Sequence, residues 1–223
     1  MLSNVEERIR KLTPRAEFFV VVIGTLGYYI ITSAIVLLLR LDHYEMTTGR
    51  MLRAVLMEST LLLFAAWLLR IRGWSVERAG LRPSWLAGLA GIPLLIAYLT
   101  LYYSAYFAIR IAFPAASFHA IRMTVTASVP IMILTIIVNS FFEELIVTSY
   151  VIESLSSQGA AYAISASILL RFLYHLYQGP IASISILPLG FLFGAIFWRW
   201  RNVTPMIVAH TLANFIAFGF AAR

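Results

Sequence analysis

The chain has 223 residues, 61% of them hydrophobic and only 12% charged, with no cysteine and a formal net charge of +7. Soluble domains carry roughly 25% charged residues, so a mean hydropathy of +0.87 with so few charges excludes an ordinary soluble domain and indicates a membrane protein. The missing cysteines exclude a disulfide framework, a thiol nucleophile and a cysteine metal site, and the basic residues lie between apolar runs, which is how membrane helices are oriented and not how nucleic acid is bound.

A spanning helix needs about 20 apolar residues, and seven segments are candidates. The first, Phe18–Leu39, is too long for a signal-peptide core, and no small-residue cleavage site follows it. The second is Ala54–Leu69, with Glu58 near one end. The third, Ser84–Ile109, is uncharged and long enough to tilt. Ala112–Arg122 reads as a loop or interfacial turn. The fourth begins near Met123 or Ser128 and runs into Glu143 and Glu144. The fifth covers Ala160–Gln178 and contains Arg171 and His175, the sixth is Ile181–Trp198, and the seventh, Val203–Ala222, contains His210. These runs are too long for barrel strands and lack period-2 alternation. The expected fold is therefore an all-α polytopic transmembrane bundle of about seven spans. Residues 1–122 hold the first three helices, and 123–223 hold a four-helix catalytic core. Pro93, Pro130 and Pro188 fall in or near the starts of helices, where neighbouring helices can satisfy freed carbonyls.

With the N-terminus inside, ten basic residues flank the inner ends (Arg8 to Arg15, Arg70 to Arg82, Arg199 and Arg201) against six on the outer side, including Arg50 and Arg53. The bias favours a cytoplasmic N-terminus, and the compact chain suits a bacterial plasma membrane. Trp74, Trp85, Trp198 and Trp200 lie beside charged clusters, as interfacial anchors do.

The chemistry concentrates in three places. Ionisable groups within hydrocarbon cost several kcal/mol unless paired, so they mark function by default. Met123–Phe142 is twenty residues without a charge and leads straight into the Glu143/Glu144 pair. Helical spacing puts Asn139 with Glu143, Glu144 with Thr148, Arg171 with His175, and His210 with Asn214. Each helix thus carries a polar stripe, and such stripes face one another or a water-filled cavity. Two carboxylates, two imidazoles, an amide and a guanidinium around one cavity can activate water.

The segments FFEELIVTSY, RFLYHLYQG and HTLAN resemble the three motifs of the CAAX protease and bacteriocin-processing (CPBP, or Abi) intramembrane proteases, including the type II CAAX prenyl endopeptidases. The family patterns are a Glu-Glu pair followed by Arg, a Phe or Arg four residues before a His, and a His followed four residues later by Asn or Asp. The resemblance covers Met123–Ala222. It implies an endopeptidase acting on a membrane-associated or lipidated peptide. Glu143 would be the general base, with Glu144 orienting a neighbour. His175 would hold the water, and His210 with Asn214 would stabilise the oxyanion. This chain has Thr148 where the family usually has Arg, so a degenerate member is one outcome and Arg171 as replacement cation is another. Burial disfavours an ionised carboxylate and a nearby cation favours it, so a base at Glu143 needs such a partner. Metal stays open: a zinc ion would use Glu143, His175 and His210, but HExxH is absent, and we lean to a site without a metal cofactor.

Blander readings stand beside these. The glutamates could form a structural ion pair with Arg171, and His210 with Asn214 could be polar glue between helices. Glu58 reads as interfacial, His43 and His119 as inert loop residues, and Tyr174 and Tyr177 as packing. Glu143 and His210 count into the cytoplasmic half of the bilayer and His175 into the outer half, with the cavity near the cytoplasmic face. Two other functions compete with the protease: a proton-coupled transporter, and a non-proteolytic partner or immunity protein. The expected partners are membrane lipids and a peptide or protein substrate, with no nucleic acid.

Overall fold

Each long apolar run forms a helix because a chain in lipid must satisfy its backbone hydrogen bonds internally. The computed structural model describes residues 2–40, 43–114 and 122–221. A short amphipathic helix, α1 (Leu2–Arg10), precedes α2 (Pro14–Leu38), which starts where Thr13 Oγ1 accepts from the Ala16 N–H and Pro14 occupies the first turn. After β1 (His43–Met46), Thr47 caps α3 (Thr48–Ile71) and Ser84 caps α4 (Trp85–Ala112). Strand β2 (Arg122–Val125) leads to α5 (Val129–Glu143), which continues through a π-helical turn, Glu144–Tyr150, into α6 (Val151–Ser154). Helix α7 (Ala160–His175), the six-residue α8 (Pro180–Ser185), α9 (Leu187–Trp200) and α10 (Thr204–Ala221) complete the bundle.

Five helical stretches are long and apolar enough to cross a membrane: Pro14–Leu38, Thr48–Ile71, Trp85–Ala112, Val129–Ser154 and Pro180–Trp200. Large apolar side chains such as Ile23, Leu63, Ile96, Phe107 and Phe191 point outward. The chain is an all-α polytopic membrane bundle. Two of the seven expected spans are shorter. Helix α7 has 16 residues, about 24 Å at 1.5 Å per residue, and ends at His175 instead of Gln178. The apolar part of the last helix is Thr204–Gly219. Pro93 lies inside α4, whereas Pro130 and Pro188 occupy first turns.

Two turns of one design bracket α7. Each is a 3₁₀ turn ending in Gln-Gly, and Gly159 (φ +91°) and Gly179 (φ +87°) adopt a backbone that an L side chain resists. They fix where α7 starts and stops, and so the height of Arg171 and His175. The stretch Val129–Ser154 is half buried over its most apolar window, against 28% for Pro14–Leu38 and 17% for Trp85–Ala112, so the glutamate-bearing helix is central. α10 lies along α4, α3 along α5, α7 along α9, and α2 along α7.

One end of the bundle, where α2 begins, is clasped by charge. Glu17 accepts from Arg72 Nε at 2.6 Å and from Trp74 Nε1 at 3.0 Å, and Arg201 donates to Glu153 at 2.6 Å. Arg78 and Arg201 stack over Trp74 and Trp198. Across the opposite end runs a feature absent from the sequence reading, the parallel pairing of β1 with β2, in which Tyr44 faces Met123 and Met46 faces Val125. Those four residues line a cavity. His43, Glu45, Thr124 and Thr126 alternate with them and bond to one another, with His43 Nε2 2.8 Å from Thr124 Oγ1 and Thr126 Oγ1 donating to Glu45 at 2.9 Å. His43 is thus an exposed strand residue, and His119 lies outside the described residues.

A Cβ at Gly91 would sit 2.6 Å from Val208 Cγ1 and 3.1 Å from the Pro205 carbonyl oxygen, whereas Gly88, one turn earlier, has nothing within 4 Å. Gly91 therefore lets α4 approach α10. Gly91→Ala is expected to destabilise the protein by about 1–3 kcal/mol through overpacking, and Gly88→Ala to stabilise it slightly, by up to about 1 kcal/mol, as read by thermal unfolding in detergent. Equal melting of the two variants would show that α4 and α10 do not touch there.

Candidate active site

The π-helical turn begins at Glu144, directly after Glu143 ends α5. Glu143 and Glu144 both turn inward, with only 7% and 0% of their surfaces exposed. Their surroundings differ.

Glu144 is saturated. Arg171 Nη2, arriving from α7, donates to Oε1 at 2.9 Å and Oε2 at 3.1 Å. Thr148 Oγ1 donates to Oε2 at 2.6 Å and itself accepts from Arg171 Nη2 at 3.0 Å. His210 Nδ1, from α10, is 2.7 Å from Oε1. One carboxylate thus joins α7 and α10 to the π turn. Arg171 is buried within this network.

Glu143 faces the cavity. Tyr174 Oη donates to its Oε2 at 2.5 Å, Arg171 Nη1 is 3.5 Å from that oxygen, and His210 Nε2 is 4.0 Å from it. Oε1 makes no hydrogen bond among the described residues. Tyr174, read from sequence as packing, is therefore a partner of the carboxylate. Its position next to His175 was the available signal, but a phenol beside an imidazole is ambiguous without coordinates.

The two imidazoles have opposite settings. His175 Nδ1 lies 2.8 Å from the Arg171 carbonyl oxygen. A carbonyl only accepts, so Nδ1 carries the hydrogen and Nε2 offers a lone pair. The ring is held against Tyr174, with centroids 4.3 Å apart. His210 gives Nδ1–H to Glu144 and keeps Nε2 towards Glu143. Asn214 Nδ2 donates to Asn139 Oδ1 at 3.5 Å and to Ser140 Oγ at 3.4 Å. Glu143, Tyr174, His175, His210, Asn139 and Asn214 all line one cavity of about 630 Å³. The expected mismatch in depth is absent, because the side chains of α5, α7 and α10 converge at one level.

Two sequence expectations need correction. Glu58 is not interfacial. It is only 3% exposed, lines the same cavity, and accepts from Asn139 Nδ2 at 3.0 Å and from Tyr29 Oη at 3.4 Å. A signal was present: Met51, Val55, Glu58, Ala65 and Leu68 are the buried stripe of α3, and their spacing is that of an inward helix face. Nor does the cavity lie at the end where α2 begins. Its walls run through Ser33 and Val36, Tyr44 and Met46, Arg50 and Arg53, so it opens at the opposite end, beneath the strand pair. Tyr177 lines it too, its N–H donating to Ser33 Oγ at 2.8 Å.

Among the described residues, no three His, Cys, Asp or Glu side chains are placed to hold a metal ion. The Arg171 guanidinium lies 3.5 Å from Glu143 Oε2, the oxygen that Tyr174 also holds.

In this membrane bundle, ionisable side chains from separate helices converge on one internal cavity. Residues 124–216 match the family model described as Type II CAAX prenyl endopeptidase Rce1-like, which supports a CAAX protease (CPBP) family assignment for this part of the chain. Comparisons with curated proteins and with solved structures find no match. The matched segment holds Glu143, Glu144, Thr148, Arg171, His175, His210 and Asn214, whereas Tyr29 and Glu58 lie before it.

Removing one partner of a buried ion pair strands the other and costs about 3–5 kcal/mol. Arg171→Leu is therefore expected to lower the thermal unfolding temperature sharply or abolish folded protein in detergent. A variant that melts like the wild type would show that Glu144 is held without Arg171.

Proposed function

We propose that the chain is an intramembrane endopeptidase in which Glu143 activates water against a peptide bond of a membrane-associated peptide. The observation that carries this reading is the asymmetry of the glutamate pair. Glu144 is consumed by three donors, and Glu143 keeps an oxygen free beside His175, His210 and Asn214 in one cavity.

In this mechanism a water lies between Glu143 and His175, donating to the Glu143 carboxylate and to the His175 Nε2 lone pair. As its oxygen attacks the scissile carbonyl, Glu143 takes the proton. Asn214 Nδ2–H and His210 Nε2–H stabilise the oxyanion. His210 already gives Nδ1–H to Glu144, so this role requires its doubly protonated form, for which Glu144 is the counter-charge. Collapse of the tetrahedral intermediate breaks the C–N bond, and Glu143–H returns the proton to the leaving amine. A positioned general base contributes roughly 10²–10⁴-fold and an oxyanion donor about 10²–10³-fold. Arg171 supplies the cation that Thr148 lacks, which supports an active member over a degenerate one. The reaction runs without a metal, in keeping with a guanidinium beside the base.

Glu143→Gln is expected to lower processing by at least about 10²-fold without unfolding the protein. Peptide termini in membranes of host cells carrying wild-type or Glu143→Gln protein read this out, and identical termini would remove the protease reading in favour of a non-proteolytic partner. In purified wild-type protein, activity is expected to survive phenanthroline; stoichiometric zinc lost together with activity would overturn the metal-free mechanism.

The charge bias supports a cytoplasmic N-terminus, and the cavity mouth then opens on the far face of the membrane. The chain lacks cysteine, so single cysteines report directly. Thr126→Cys, by the mouth, is expected to react with an impermeant maleimide in intact cells, and Arg78→Cys, at the opposite end, only after permeabilisation. The reverse pattern would invert the orientation.

A further inference from the structure

The mechanism leaves one buried acid in the cavity without a role. Glu58 belongs to α3, outside the family-matched segment, yet it has almost no exposed surface, and among the described residues its Oε2 has no partner. Only Oε1 is engaged, and both groups bonded to it are donors, Asn139 Nδ2 at 3.0 Å and Tyr29 Oη at 3.4 Å. An asparagine amide has two unlike ends, a carbonyl that only accepts and an NH₂ that only donates. Holding the Asn139 NH₂ towards α3 turns its carbonyl towards α10, where Oδ1 accepts from Asn214 Nδ2 at 3.5 Å. The second acceptor for that NH₂, Ser140 Oγ at 3.4 Å, spends its hydrogen on the Ile136 carbonyl at 2.8 Å and has only lone pairs to offer. Asn214 is thereby held with nitrogen, not oxygen, towards α5. Both contacts lie at the long end of hydrogen-bond range, so they set which way the NH₂ faces while an N–H can be given up to a charge developing in the cavity.

We propose that Glu58 is a positioning residue that sets the amide orientation of Asn214 through Asn139. The inference rests on the reading of Asn214 as an oxyanion donor. If Asn139 were free to rotate end for end, its NH₂ would meet the NH₂ of Asn214, donor against donor. The amide would then be pushed from the geometry that aims an N–H at the developing charge. Ser140 alone would retain Asn214 loosely. The relay crosses three helices, α3 to α5 to α10, and ties the oxyanion site to a part of the chain that carries none of the three motifs.

The chain contains only four asparagines, Asn4, Asn139, Asn202 and Asn214, so protein labelled with ¹⁵N-asparagine in micelles gives four side-chain NH₂ pairs, assignable with single Asn→Ala variants. In Glu58→Leu the Asn139 and Asn214 pairs are expected to move by more than their linewidths while those of Asn4 and Asn202 stay in place, which also shows that the fold survives. Glu58→Gln, whose carbonyl oxygen still accepts from Asn139, is expected to restore the Asn214 pair. Processing of the peptides found in the terminus comparison is expected to fall about tenfold in Glu58→Leu and to recover in Glu58→Gln. An Asn214 pair that does not respond to Glu58→Leu overturns the relay whatever the cleavage assay shows. Unchanged termini in Glu143→Gln, by contrast, remove the protease and leave the relay measurable.

Discussion

A single carboxylate, Glu144, organises the core. A charge buried this deeply is tolerable only if its lone pairs are filled and its charge is balanced, and the chain meets both conditions by drawing on two other helices. Arg171 from α7 supplies the countercharge, His210 from α10 supplies a ring N–H, and Thr148 closes the set from the next turn. Replacing such a network with apolar packing is often neutral for stability, so its presence argues for geometry over strength. It fixes the relative height of α5, α7 and α10. It also makes Nδ1 of His210 a donor and leaves Nε2 as the nitrogen that faces the cavity.

That arrangement explains how two adjacent glutamates can differ so much. In a regular α-helix, neighbouring residues point about 100° apart, and the pair would face two different flanks. Here Glu143 closes α5 and Glu144 opens the π turn, and both flanks are interior, so both carboxylates are buried. The donors available there then separate them, filling one and leaving the other partly open. The junction serves an internal ion pair and a reactive group at once, in keeping with the frequent placement of π turns at functional sites. Arg171 reaches both glutamates, at 2.9 Å and 3.5 Å, so it is at once the countercharge of the buried pair and the cation beside the proposed base.

The sequence carried most of this at the level of elements. Apolar runs of bilayer length became helices, and the i, i+4 spacings of Arg171 with His175 and of Glu144 with Thr148 proved to be contacts within one network. What it hid depends on where helices lie relative to one another. Glu58 sits within a turn or two of the end of an apolar run, and a hydropathy profile puts such a residue at the interface; only the heptad-like spacing of its buried neighbours reveals that it faces inward. Tyr174 needed a partner from another helix to be distinguished from packing. The strand pair was invisible because each strand has four residues, too few for alternation to stand out, and the partners are almost eighty positions apart.

The family-matched segment is therefore not the whole of the site. The cavity that α5, α7 and α10 line is closed on its other side by α2 and α3 and covered at its mouth by β1 paired with β2. These elements add what the motif helices lack: Tyr29 and Glu58 at the level of Asn139, an apolar wall of Met46, Met57 and Val125, and two arginines at the opening. A peptide reaching Glu143 would pass those arginines and that wall first. Choice of substrate would then fall mainly to the N-terminal helices and the strand pair, and bond cleavage to the glutamate, histidine and asparagine side chains of the C-terminal ones. The two duties place different constraints on sequence. The chemical groups must keep their identity and spacing, whereas a wall needs only shape and polarity, so a motif that recurs across a family is expected to end where the wall begins.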